Sequence, residues 1–165
     1  VKALVVALLL LLVACSAAIR SPYDSDGGCG RTFHVSAAFT QGERAALESA
    51  VARWNEIADE QFCLDDGDGN DEHGVFRLEG QELENLRADF KSDVIGVFYH
   101  EGGRIGIVAN LPLDVFEVVA LHEFGHAHGL QHTPPPSIMN AVVGTADDFT
   151  DNDLAECRRV SACLP

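Results

Sequence analysis

The chain has 165 residues, 47% of them apolar, with 11 basic against 26 acidic side chains and a formal net charge of −15. That length fits one domain with a core of its own. The acidic balance argues against nucleic acid, which needs clustered Lys and Arg, and against electrostatic docking on anionic lipid; it reads as a solubility device.

Residues 1–14 read as a signal peptide. Lys2 precedes an apolar run from Ala3 to Val13, too short for the ~20 residues of a membrane span. Leu12-Val13-Ala14-Cys15 resembles the lipobox of bacterial lipoproteins. The resemblance implies a lipidated Cys15 and a place in the cell envelope, with the lipid as the only membrane contact. Cleavage after Ala17 or Ala18, giving a secreted chain, is the alternative. Residues 15–31 then form the lipidated cysteine and a small, polar, Gly-rich tether, and residues 32–165 the domain.

A strand is expected over Phe33–Phe39. Thr40 with Glu43 forms a capping box, so a helix starts there. Leu47, Val51, Trp54 and Ala58 recur at helical spacing and mark its buried face. Asp65 to Glu72 is an acidic loop that invites a calcium reading. The EF-hand template fails in it, since the sixth position from Asp66 is Asp71 and the twelfth is Arg77. It reads as a solvated turn, and Ca2+ stays an unsupported alternative.

Val75–Leu78 reads as a short strand, and Leu83, Leu86 and Phe90 as a helical turn or two. Val94–Tyr99 reads as a buried strand. With Arg104–Asn110, across the turn at Glu101-Gly102-Gly103, it makes a hairpin. Asp114 and Glu117 suggest a cap for a helix running to about His128. Gly129 suits a left-handed C-cap, and Pro134-Pro135-Pro136 forbids regular structure beyond it. Thr150 and Asp153 open a last short helix that ends near Arg158 and Arg159.

The chemistry lies in His122-Glu123-Phe124-Gly125-His126-Ala127-His128-Gly129-Leu130-Gln131-His132. His122 and His126, four apart, share one helix face. Gly129 lets the chain bend and return His132 as a third nitrogen. Three His ligands leave a tetrahedral zinc one open position for water, and Glu123 beside them can act as general base. His128 projects roughly 200° from His126, at ~100° per residue, and serves as an internal control that binds no metal. His34, His73 and His100 have no ligand spacing and read as ordinary residues.

This motif, followed by Ser137-Ile138-Met139, resembles the metzincin metalloproteases with their Met-turn, closest to the matrixin branch. The resemblance implies an α+β, zincin-like catalytic domain: a twisted mixed sheet, an active-site helix and a short C-terminal helix. It implies one catalytic Zn2+ and a monomeric endopeptidase whose protein or peptide substrate lies extended along a sheet edge. That edge is expected in Arg104–Asn110, with Gly106, Ile107, Val108 and Ala109 facing the cleft. Asn140 to Gly144 would border the pocket and favour an apolar residue after the cut. No Tyr follows Met139, so the astacin-type tyrosine ligand has no counterpart. The alternative function is a non-catalytic lipid-anchored surface module that keeps a structural zinc. Cys29, Cys63, Cys157 and Cys163 suggest two disulfides, Cys157 with Cys163 and hence Cys29 with Cys63. The competing idea makes Cys29 a zinc-blocking thiolate.

Overall fold

The computed structural model describes residues 28–90 and 93–164. The expected signal peptide, Cys15 and most of the expected tether lie outside the described residues. The elements are β1 (Arg31–Ser36), α1 (Gln41–Asn55), β2 (Phe62–Gly67), β3 (Gly74–Leu78), α2 (Gly80–Phe90), β4 (Gly96–Tyr99), β5 (Arg104–Val108), α3 (Leu113–Ala127) and α4 (Asp151–Arg159). The sheet runs β2-β1-β3-β5-β4. Its first four members are parallel and β4 is antiparallel to β5. α1 and α3 pack on each other and on the sheet, α1 against β2 and α3 against β4 and β5. The expected mixed-sheet α+β fold is the one observed.

The capping box of α1 forms: Thr40 Oγ1 accepts from the Glu43 amide at 3.3 Å, and Glu43 Oε2 accepts from the Thr40 amide at 2.7 Å. Leu47, Val51, Trp54 and Ala58 are all buried. The Trp54 indole donates to the Leu121 carbonyl at 2.8 Å, so the polar edge of this core residue is satisfied by α3 itself.

Three expectations need correction. The first concerns β2, which includes Asp65, Asp66 and Gly67 of the acidic loop. Phe62 is buried, and Asn55 fixes its backbone from both sides, accepting from its amide and donating to its carbonyl at 2.8 Å. The acidic half hangs into solvent at a sheet edge, where charge discourages further strand pairing. The alternation is lost because only half of the strand is covered.

The second concerns the hairpin. β5, with Gly106, Ile107 and Val108, lies inside the sheet between β3 and β4, and Ala109 follows it directly. Ile107 pairs with Arg77 on one side and Gly96 on the other. Proline there would break the sheet centre rather than an edge. The free edge is β4, half-buried along its length. Burial separates the two: Ile105, Gly106 and Ile107 are covered on both faces, which is the environment of an interior strand.

The third concerns α3. It begins at Leu113 after Pro112, with no side-chain cap. Asp114 accepts only from its neighbour Val115, and Glu117 leaves the backbone for Ser49 and Arg53 on α1. α3 is buried almost all round from Phe116 to Gly125, so packing rather than capping stabilises it.

Residues 29–31 are fastened to the domain. Cys29 is bonded to Cys63, the Gly30 amide donates to the Gln61 carbonyl at 2.8 Å, and Arg31 opens β1. Cys157 is bonded to Cys163, where the chain leaving α4 pairs with Ala58.

Candidate metal centre

α3 carries His122 and His126 one turn apart. The helix ends at His128, and Gly129 takes φ +89°, a left-handed conformation that a side chain would strain. The Gly129 amide donates to the His126 carbonyl, and the Leu130 amide to the Gly125 carbonyl at 3.0 Å. The reversed chain then delivers His132. His126 Nε2 lies 3.0 Å from His122 Nε2 and 3.2 Å from His132 Nε2.

Two carbonyls settle the tautomers. His122 Nδ1 is 2.7 Å from the Ile138 carbonyl oxygen and His126 Nδ1 is 2.8 Å from that of Leu130. A carbonyl only accepts, so both Nδ1 atoms carry the proton and both Nε2 atoms present lone pairs. Lone pairs facing each other at 3 Å repel unless a cation lies among them. Tetrahedral Zn–N bonds of about 2.0–2.1 Å put nitrogens about 3.3 Å apart, close to the separations seen. The three ring nitrogens form the one group among the described residues in which three His, Cys, Asp or Glu side chains could hold a metal ion. Burial pushes the His122 imidazole down to about 4 and lowers that of His126 as well. Both are therefore neutral near pH 7, the form that binds metal.

His128 lies on the opposite side of the helix end. It is buried, stacked on Phe62 with ring centres 3.8 Å apart, and pushed down to about 3 by burial. It takes no part in the triad, as its angular position requires.

Met139 is fully buried, packed against α3 at Gly125. A Cβ on Gly125 would run into its sulfur, which is why the helix carries glycine there. The turn before Met139 hangs on Asp153, a residue whose capping role the sequence showed and whose second role it did not. Asp153 is 1% exposed and accepts from Ser137 Oγ at 2.5 Å, from the Ile138 amide at 3.1 Å and from the Met139 amide at 3.0 Å. It also accepts from the Thr150 amide and hydroxyl. Burial pushes its carboxyl up, but these bonds outweigh that and hold it below the usual range. The relay is continuous: Asp153 grips the Ile138 amide, and the Ile138 carbonyl fixes the His122 ring.

Glu123 is 4% exposed, and its Oε2 has no hydrogen-bond partner. Burial pushes its carboxyl up to about 8. It sits against β4, where a Cβ on Gly96 would come within 2.5 Å of its Oε1. The missing side chain at Gly96 is thus part of the seat for Glu123, and nothing in the sequence pattern marked it. The site opens into a cleft of about 530 Å³ between β4, α3 and the segment after Met139, with Val97, Val119, Ala141 and Val143 among its walls. His100, read from the sequence as an ordinary residue, is exposed at its margin.

A family model described as matrixin matches residues 59–159, well over half of the chain, from just before β2 to the last residue of α4. No curated protein matches the chain.

Proposed function

The chain belongs to the matrixin family of zinc metallopeptidases, and we propose on that premise that it is an endopeptidase with His122, His126 and His132 as zinc ligands and Glu123 as general base. One observation carries the reading: the Nε2 atoms of three histidines converge beside a buried carboxyl whose Oε2 has no hydrogen-bond partner. When bound, zinc would polarise the scissile carbonyl and acidify the attacking water. Glu123 takes a proton from that water and returns it to the leaving amine nitrogen. Its burial raises its basicity, and a neighbouring cation brings the carboxyl back toward its charged form.

The substrate is a protein or peptide. Among the described residues β4 pairs only with β5, which leaves its other edge open to an extended chain. The valine-rich walls suit an apolar side chain after the cut. Two disulfides fit export into an oxidising compartment. No helix among the described residues is long and apolar enough to cross a membrane. The lipid anchor at Cys15 remains part of this proposal, supported by its lipobox-like sequence.

Purified domain should contain about one zinc per chain and cleave a casein-type substrate in a chelator-sensitive manner. His122→Ala should lose tight zinc binding and cleavage together. His128→Ala removes a stacked core ring and should lower Tm while zinc content holds. Equal zinc loss in both variants would overturn the ligand set.

A further inference from the structure

We infer that Arg53 is a positioning residue that straps the 140–149 segment to α1 and α3, and so sets how well the cleft fits the side chain after the scissile bond. The inference rests on the peptidase reading for its substrate and on the geometry for the strap.

After Met139 the chain forms no helix or strand until α4. Asn140, Ala141 and Val143 from this stretch wall the cleft opposite β4. Ala141, Val142 and Gly144 are exposed. The near end is tied by Thr145, whose hydroxyl donates to the Ser137 carbonyl at 2.8 Å. The far end is tied by Arg53. One Arg53 nitrogen donates to Asp148 Oδ1 at 2.5 Å and to the Asp147 carbonyl at 3.3 Å. The other donates to Glu117 on α3 at 3.3 Å. The guanidinium carbon lies 5.6 Å from the centre of the Phe149 ring, which packs edge-on against Trp54 at 4.6 Å.

One planar cation therefore joins three bodies: α1, which carries it; α3, which also carries His122, His126 and Val119; and the loop wall. Only the guanidinium fork can reach Glu117 and Asp148 at once, so lysine is no substitute. The Asp148 carboxyl is held below its usual range by this bond, as a formed ion pair requires. The Arg53 side chain is 26% exposed and Asp148 75%, so the strap is salt-sensitive. A purely structural tie would lower Tm without touching selectivity. A strap on the wall should instead change how residues of different size are received.

The test uses the zinc-loaded domain and peptides that differ only in Ala, Leu or Phe after the scissile bond. For Arg53→Gln, KM for the Leu and Phe peptides should rise about two- to fivefold, the scale of a partly exposed ion pair, with kcat within about twofold. Preference over the Ala peptide should narrow. Asp148→Asn, at an exposed position, should reproduce the effect, and the double variant should add nothing further. Arg53→Lys should recover only part of it. Amide exchange over 141–149 should quicken in each variant, with or without zinc. Unchanged exchange in that segment would overturn the strap. Faster exchange with an unaltered Leu-to-Ala preference would overturn its role in selectivity. If the parent protein cleaves no peptide, the peptidase reading falls, and the exchange data alone then support or overturn the strap.

Discussion

Glu123→Ala should cut peptide hydrolysis by about 10²–10⁴-fold, the usual worth of a general base, while zinc content stays at that of the parent. The structure explains why the fold should survive. Glu123 is buried, yet its Oε2 has no partner, so no hydrogen-bond network collapses with it. A second readout follows from its displaced titration. In the metal-free protein burial pushes the folded carboxyl up to about 8, above its ordinary value of 4.5. The native state therefore keeps a proton that the unfolded chain has released. Stability of the metal-free parent should fall as pH rises from about 4.5 to about 8, and Glu123→Ala should lack that component. Equal cleavage by parent and variant would assign the proton transfer to another group.

Asp153→Ala should be the most damaging single change outside the triad. It orphans the Ile138, Met139 and Thr150 amides and takes one partner from the Ser137 and Thr150 hydroxyls. Loss of a buried charged network on this scale costs about 3–5 kcal/mol. In a domain of this size that is a fall in Tm of about 10 °C. Zinc affinity should drop about 10–100-fold as well, because the His122 ring is aimed through Ile138. Thr150→Ala provides the contrast. It removes a helix cap worth about 1 kcal/mol and should leave zinc affinity intact. If both variants bind zinc like the parent, Asp153 is a cap and nothing more. The pH dependence has the opposite sign to that of Glu123. The folded Asp153 carboxyl lies below its ordinary value, so its contribution is present above that value and is lost as pH falls through the lowered one.

The centre was legible because its chemistry is local. Two histidines a turn apart, a glycine at the bend and a third histidine three residues on lie within eleven positions, and helical geometry alone brings them together. The caps of α1 and α4 were legible for the same reason, each being closed within four residues. What the sequence hid is non-local. Which member of the hairpin stands at the sheet edge depends on β3 pairing with β5, an event thirty residues across the chain. β2 escaped because Asn55 and a disulfide, rather than alternation, hold it in register. Gly96 and Arg53 carry no pattern at all. Their meaning appears only once β4 lies against Glu123 and α1 against the segment beyond Met139.

The two cystines have a bearing on how such a protein can be switched. Cys29, Cys63, Cys157 and Cys163 are all consumed in pairs, so no thiolate from the described residues is left to cap a metal ion. Alkylating agents and organomercurials, which unmask metal centres gagged by a sulfhydryl, find no sulfhydryl to attack there in the native domain. Restraint built on those four sulfurs would have to be imposed by reductants, through loosening of the strand edge at Cys63 and of the helix that carries Asp153.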